Sequence, residues 1–185
     1  LGAPFVYDDE GYIVANLQIT SLRNFLDFSG TRYIGFLSFA LNYAVGGLVP
    51  FDFHLTNIAI HIGNALLVYA LVSVIFRTPA MKGAGERGVP LLAAFTVSVI
   101  FLSHPIESQA VSYVTQRFTS LCTFFYLLSL LLYAKSRMAR EGGRGWRTMY
   151  AASLVAAVVA MKTKEMSFTT PFMIVLLDLV FFSDR

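Results

Sequence analysis

The chain has 185 residues, of which 56% are hydrophobic and only 14% are charged. Soluble domains carry roughly 25% charged residues, so this composition excludes that class and indicates an integral membrane protein. The formal net charge is +3, but the basic residues concentrate in two short loops between apolar segments, which signals membrane topology and not a nucleic acid partner.

The chain begins at Leu1 without an initiator methionine and ends just after an apolar run. We therefore expect a fragment of a longer protein.

An acidic cluster stands near the start, where Asp8, Asp9 and Glu10 are adjacent. Charge beside a bilayer is costly unless it is solvated or functional. These carboxylates could supply a general base for a hydroxyl nucleophile or could ligate a divalent cation. The alternative is an acidic loop that simply stays solvated.

Residues 22–47 are moderately apolar, and Asp27, Gly30, Arg32 and Gly35 interrupt them. This pattern predicts one or two helices along the membrane interface and not a span. We predict that residues 1–54 form the first extracytoplasmic loop and that residues 55–185 form a transmembrane helix bundle.

Five apolar stretches follow, each near the length that a spanning helix needs. The shorter ones can reach full span by using flanking residues or by snorkelling of Lys162. The predicted fold is all-α, a polytopic transmembrane helix bundle with about five spans, at residues 55–76, 89–103, 118–134, 148–161 and 166–183.

The two basic loops are cytoplasmic by the positive-inside rule. They carry Arg77, Lys82 and Arg87, and then Lys135, Arg137, Arg140, Arg144 and Arg147. Alternation of five spans then places residues 1–54, 104–117 and 162–165 together on the extracytoplasmic side. The candidate residues gathered there are Asp8, Asp9, Glu10, His104, Glu107, Arg117, Lys164 and Glu165.

A polar stripe marks the first full span, since His54, Asn57, His61 and Asn64 recur at spacings of three, four and three. This spacing puts them on one helical face, which in lipid must face the bundle interior. We favour interhelical hydrogen bonding over a metal site or proton relay, because two histidines seven residues apart without a carboxylate make a poor ligand set.

Residues 104–107 read as a helix start, with Pro105 early and Glu107 in the first turn. Arg117 follows, where a guanidinium could hold an anionic headgroup or could simply snorkel. Lys162 and Lys164 are cations on the predicted outer side, which favours a phosphate partner. A structural ion pair between Lys164 and Glu165 is the alternative.

Taken together, these motifs resemble, in order and spacing, the membrane part of the transmembrane and tetratricopeptide-repeat-containing O-mannosyltransferases of the GT-C superfamily, with bacterial relatives the closer match. The resemblance rests on residues 5–9, on residues 53–57 with His61 and Asn64, on residues 104–111 with Gln116 and Arg117, and on Lys164 and Glu165 ahead of Pro171 and Asp178.

The resemblance implies a glycosyltransferase that moves a sugar from a polyprenyl-phosphate donor to a hydroxyl, such as a protein Ser or Thr. It implies catalytic roles for Asp8 and Asp9, donor-phosphate contacts at Arg117 and Lys164, and a pocket that includes Glu10, His104, Glu107, Gln109 and Glu165. Gln109 departs from the family pattern, because many members have Glu there.

The implied location is a bacterial inner membrane with the active face toward the periplasm. The implied partners are membrane lipid, a lipid-linked sugar donor and a protein acceptor. The family also leads us to expect a preceding span, later spans and a repeat domain outside these 185 residues. A non-catalytic membrane anchor that presents such a repeat domain, or a transporter-like bundle, is the alternative function, although the inverted repeats typical of transporters are not clear in the sequence.

Overall fold

The computed structural model describes residues 3–81, 83, 88–140 and 145–183. Lys82, Arg87 and Arg144 of the two basic loops lie outside the described residues. The described residues form α-helices joined by short 3-10 turns, with one π-helical turn at Glu10–Val14 and no strand among them. The predicted all-α membrane helix bundle is confirmed. The helices are α1 (Tyr33–Gly46), α2 (Pro50–Ile75), α3 (Val89–Ser103), α4 (Ser108–Ser112), α5 (Arg117–Arg140), α6 (Trp146–Met161) and α7 (Thr170–Phe181).

A helix occupies each of the five predicted span positions, but their lengths differ. Two helical stretches, Pro50–Ile75 and Val114–Arg140, are long and apolar enough to cross a membrane alone. A third candidate combines α3 with Pro105–Ser112 across a 49° bend. At about 1.5 Å per residue, the 16 residues of α6 reach roughly 24 Å, short of a hydrocarbon core of about 30 Å. The count of five spans stays a prediction.

Helix α2 begins at Pro50, five residues before the predicted segment. Proline is favoured at the first helical position, and Asp52 places a carboxylate in the first turn, where the helix dipole stabilises it. The predicted division into residues 1–54 and 55–185 therefore falls inside this helix.

Small residues bring α5 and α6 into close contact. Ser129 and Ser153 each donate a side-chain hydrogen bond to the other's backbone carbonyl at 2.9 Å. Ala156, Ala157 and Ala160 are buried on the same helix as Ser153. Close backbone approach through small residues is the usual way that helices associate in lipid.

An aromatic cluster fixes α1 and the amino-terminal segment onto one end of the bundle. Phe39 packs edge-on against Phe118 with ring centroids 5.2 Å apart, and Ile13 and Ile19 are buried beside them. Gly35 allows this contact, because a Cβ there would lie 2.2 Å from a ring carbon of Phe118. This end of the bundle carries the candidate site.

Candidate functional site

Three segments that are distant in sequence meet at this end. An Asp9 carboxylate oxygen accepts a hydrogen bond from the Thr115 backbone N–H at 2.9 Å. The Ile34 N–H donates to the Lys162 carbonyl at 3.1 Å. The structure therefore gathers residues 3–54, 104–117 and 162–165 at one end of the bundle.

An ion pair links the segment before α1 to the segment after α6, with the Arg32 Nε 3.2 Å from Glu165 Oε1. The pKa of Glu165 is lowered, first by its own backbone N–H and then by the Arg32 side chain. The pKa of Arg32 is raised, chiefly by its hydrogen bond to the same carboxylate. Glu165 therefore pairs with Arg32, whereas the alternative prediction was an ion pair with Lys164.

Asp8 and Asp9 differ sharply in environment. Asp9 is fully buried, and its two oxygens accept from the Thr115 and Val6 backbone N–H groups at 2.9 and 3.1 Å. Asp8 is exposed, and its backbone N–H donates to the Tyr113 hydroxyl at 3.1 Å. Among the described residues the exposed Asp8 carboxylate has no hydrogen-bond partner, whereas the Asp9 carboxylate holds two backbone segments together.

Arg117 lies inside the protein and is fully buried. Its guanidinium donates to Asn57 Oδ1 at 2.7 Å, to the Phe53 carbonyl at 2.8 Å and to the Ser38 carbonyl at 3.3 Å. It also donates to Asn42 Oδ1. All three of its nitrogens thus have protein partners, so in this arrangement none is directed at an outside phosphate.

The polar stripe of α2 is buried, and each member reaches a backbone carbonyl of another segment. His54 faces the carbonyls of Val111 and Ala3. Asn57 donates to the Ala110 and Val114 carbonyls. His61 contacts the Leu102 carbonyl, and Asn64 donates to the Ser120 carbonyl. These bonds fasten residues 102–120 along the inner face of α2.

Lys164 points into the bundle end and is half-buried. Its Nζ donates to Thr119 Oγ1 at 2.7 Å, and Thr119 in turn donates to Gln116 Oε1 at 3.0 Å. This chain of bonds connects the loop between α6 and α7 to the start of α5. Of the two predicted donor-phosphate contacts, Arg117 is fully buried, whereas Lys164 is half-buried and bonded to a residue that lines a surface cavity.

Two cavities lie side by side around Gln109 and Gln116, which line both. The inner one, of about 190 Å³, includes Glu107 and Thr119 in its walls. The outer one, of about 400 Å³, is lined by Tyr7 and by the Tyr113 residue that binds Asp8. Lys164 is thus bonded to a wall residue of the inner cavity, Thr119, and the Asp8 backbone N–H is bonded to a wall residue of the outer one, Tyr113.

A third hollow of about 320 Å³ has Lys162 and Glu165, which lie on either side of Lys164 in the chain, in its walls. Arg32 and Lys162 give it positive charge, which Glu165 partly offsets through its ion pair with Arg32, while Val158, Met161 and Phe168 give it an apolar wall. The combination suits an anionic headgroup with a hydrocarbon chain.

The remaining predicted pocket residues are spread around these cavities. Glu107 and Gln109 line the inner cavity. Glu10 is exposed in the first π-helical turn. His104 is exposed and caps a 3-10 turn, its Nδ1 accepting from the Ile106 N–H at 3.3 Å. His104 thus caps its own turn, whereas Glu165 pairs with Arg32 from a distant segment.

The described residues contain no group of three or more His, Cys, Asp or Glu side chains that could hold a metal ion. Sequence reasoning missed Tyr7, Tyr113, Thr119 and Arg32. Tyr7 is 87% exposed with a positive φ of 50°, a strained conformation that turns the chain just before Asp8. A hydroxyl or aromatic residue beside a cavity carries no local sequence pattern, and Arg32 was interpreted only as an interruption of an apolar segment.

Comparison with known proteins identifies several animal relatives. The chain is 32% identical over 97% of its length to "Protein O-mannosyl-transferase Tmtc2" of Drosophila melanogaster, and 31% identical over 89% to "Protein O-mannosyl-transferase TMTC4" of Homo sapiens. It spans only 20% and 25% of those two relatives. No protein-family model and no solved structure matches.

Proposed function

Because this chain is a relative of the TMTC protein O-mannosyl-transferases, we propose that it is the donor-binding and catalytic part of a GT-C glycosyltransferase. The enzyme transfers mannose from a polyprenyl-phosphate donor to a protein Ser or Thr hydroxyl. The reacting end faces the extracytoplasmic side, which is the periplasm if the membrane is a bacterial inner membrane. The chain spans a fifth to a quarter of the two relatives compared above.

One observation carries this proposal. Two adjoining cavities share Gln109 and Gln116, and the wall of each contains a residue bonded to a predicted reacting residue: Tyr113 accepts from the Asp8 backbone N–H, and Thr119 accepts from the Lys164 ammonium. Glycosyl transfer from a lipid phosphate needs a base on the acceptor side and a cation on the leaving-group side. This end of the bundle supplies both, with room between them.

In the proposed reaction, Asp8 accepts the proton of the acceptor hydroxyl as its oxygen attacks the anomeric carbon of the sugar. The bond between that carbon and the phosphate oxygen breaks, and the electron pair leaves with the lipid phosphate. Lys164 stabilises the charge that develops on this oxygen, an effect that is large where water is excluded. The protonated Asp8 then returns its proton to solvent.

The hollow lined by Arg32 and Lys162 supports a lipid-linked donor. Its apolar wall from Val158, Met161 and Phe168 can take the first isoprene units, and Lys162 favours an anionic headgroup beside the Arg32–Glu165 ion pair. Lys164 follows Lys162 of this hollow by two residues and contacts Thr119 in the wall of the inner cavity, and we infer that the donor phosphate binds beside it with the lipid toward the hollow and the sugar toward the inner cavity.

We assign Asp9 and Arg117 to the scaffold of this site. Asp9 holds the segment that carries Asp8 against Thr115, and Arg117 holds α1 and α2 at the start of α5. Both residues therefore fix the positions of the reacting groups without touching substrate.

The test is transfer of labelled mannose from polyprenyl-phosphate mannose to a Ser/Thr peptide by the protein reconstituted in liposomes. The proposal expects peptide labelling that depends on the donor lipid and disappears when Asp8 is replaced by Asn. Donor binding without transfer by the full-length protein would instead favour the non-catalytic anchor.

A further inference from the structure

The end of the bundle opposite the candidate site carries a concentration of positive charge. Residues 135–147 contain one acidic residue and five basic ones, which are Lys135, Arg137, Arg140, Arg144 and Arg147. Helix α5 runs from Arg117 at the candidate site to Arg140, and its 24 residues, at about 1.5 Å each, separate the two ends by roughly 35 Å. This charge therefore lies outside the proposed site of glycosyl transfer.

Trp146 holds two of these arginines against one aromatic ring. The guanidinium carbons of Arg140 and Arg147 lie 5.5 and 5.4 Å from the centroid of its ring. A cation within about 6 Å of an aromatic centroid is attracted to the face of the ring. Arg140 ends α5 and Arg147 lies in the first turn of α6, so the indole fixes one guanidinium from each helix at their junction.

Neither guanidinium is neutralised by the part of the chain that the structure describes. Arg137, one turn earlier on α5, pairs with Asp178 at 2.6 Å. Arg140 and Arg147 are exposed, and no described residue accepts a hydrogen bond or an ion pair from them. Two like charges held at one ring repel each other, and a negative group beside them relieves that repulsion. Guanidinium groups match the oxygens of a phosphate especially well, because they donate in parallel pairs.

The orientation of the protein in the membrane does not by itself explain this arrangement. The positive-inside rule requires basic residues in the loop, and it is satisfied wherever in the loop they stand. It does not require that two guanidiniums be held on one indole while a third is neutralised by a carboxylate. The arrangement therefore indicates a bound anion.

The neighbouring aromatic residues indicate that this anion belongs to a lipid. Val114–Arg140 is long and apolar enough to cross a membrane, so Arg140 lies where this stretch leaves the hydrocarbon. Tyr150 lies one turn inside Trp146 on α6, and its ring centroid is 6.2 Å from that of Tyr133 on α5. Trp and Tyr concentrate at the level of the lipid headgroups. The phosphate closest to the two guanidiniums is therefore that of a headgroup.

We propose that Arg140, Trp146 and Arg147 bind the headgroup of an anionic phospholipid in the leaflet at this end of the bundle, which is the cytoplasmic leaflet under the predicted topology. The two guanidiniums donate to the phosphate, and the indole lies against the glycerol and the upper acyl chains. The headgroup must carry net negative charge, because the quaternary ammonium of phosphatidylcholine cancels its phosphate and is repelled by the arginines. This site is separate from the proposed transfer reaction and does not depend on it.

The experiment uses the fluorescence of Trp146, which is the one tryptophan of the sequence. The protein is reconstituted in phosphatidylcholine vesicles that contain an equal small fraction of either phosphatidylglycerol or phosphatidylcholine brominated on the acyl chains, because bromine quenches a tryptophan that it contacts. Subtraction of the emission of a Trp146→Phe variant removes any signal from tryptophans outside these 185 residues. The brominated phosphatidylglycerol should quench Trp146 with an apparent affinity about tenfold higher than that of brominated phosphatidylcholine.

Two substitutions test the role of the guanidiniums. Arg140→Gln and Arg147→Gln should each lower the preference for phosphatidylglycerol, and the double variant should be quenched equally by both lipids. Each variant is normalised to its own emission in vesicles without brominated lipid. Both side chains are exposed, so the substitutions leave the fold intact. Arg23→Gln removes an exposed arginine at the candidate-site end; it is the matched control and should keep the full preference.

Two results with the lipids would overturn the proposal. One is equal quenching of the wild type by both brominated lipids, and the other is a preference that the double variant retains. Inorganic phosphate, added at constant ionic strength so that screening does not change, should leave the quenching by phosphatidylglycerol unaltered. Displacement of the lipid by inorganic phosphate would assign the two arginines to a soluble anion. None of these outcomes bears on glycosyl transfer, which is tested with polyprenyl-phosphate mannose.

Discussion

Replacement of Arg117 by Met should destabilise the protein strongly, because the guanidinium is the hydrogen-bond centre of the bundle end. It donates to groups on both α1 and α2, which include Asn42 and Asn57. Its guanidinium carbon also lies 4.7 Å from the ring centroid of Phe39 and 5.4 Å from that of Phe53. Methionine retains the packing of the stem and removes every donor.

The magnitude follows from the acceptors that lose their donor. Two amide oxygens and two backbone carbonyls would lose the Arg117 hydrogen bonds. At about 1–3 kcal/mol for each buried polar atom left unpaired, with part of the loss recovered by relaxation, the expected destabilisation is about 3–5 kcal/mol.

The assay is reversible unfolding in mixed detergent micelles. Arg147→Met is the control, because Arg147 is exposed at the start of α6 and surface changes usually stay within about 0.5 kcal/mol. An Arg117→Met protein that is as stable as the wild type but cannot bind polyprenyl phosphate would refute the scaffold role and restore Arg117 as a phosphate ligand.

Three further predictions use the same unfolding assay. Asp9→Asn keeps the side-chain size but turns an amide NH₂ group toward a backbone N–H, so the free energy of unfolding should fall by about 1.5–3 kcal/mol. Unchanged stability would contradict the role of Asp9 in holding two backbone segments together. Gly35→Ala places a Cβ 2.2 Å from an aromatic ring carbon and should cost about 1–3 kcal/mol, whereas Gly11→Ala has no atom within 4 Å and should change little. The folded-state pKa of Glu165 is lowered, first by its own backbone N–H and then by Arg32, so these contacts stabilise the protein above the unfolded-state pKa, about 4.3, and their contribution is lost as pH falls through the folded value. Acidification should therefore destabilise the wild type more than Glu165→Gln, and identical pH profiles would count against the pair.

The features of the fold that depend on the spacing of residues could be predicted from the sequence. The five apolar stretches each contain a helix, and the spacing of His54, Asn57, His61 and Asn64 predicted one buried face, which is where the structure has them. Helical periodicity fixes such faces locally. The exact ends of the helices could not be predicted as well, because turns such as Glu165–Thr169 depend on contacts with residues elsewhere in the chain.

The environments of neighbouring charges could not be read from the sequence. Asp8 and Asp9 are adjacent, yet the turn at Tyr7 exposes the first and buries the second against Thr115, more than a hundred residues away. The sequence alone made Arg117 a candidate ligand for an anion. Its actual acceptors lie 60 to 79 residues earlier in the chain, so they could not be recognised from the residues around it. Long-range hydrogen bonds of this kind leave no local pattern.

The most direct test of the proposed mechanism is the transfer rate of Asp8→Asn measured beside its affinity for polyprenyl-phosphate mannose. Asparagine retains the size of the side chain and cannot accept the proton of the hydroxyl, and loss of a general base typically lowers the rate by about 100-fold to 10,000-fold. We predict a loss of at least about 100-fold in transfer with donor affinity unchanged. Transfer within about tenfold of the wild type would contradict the assignment of Asp8 as the base.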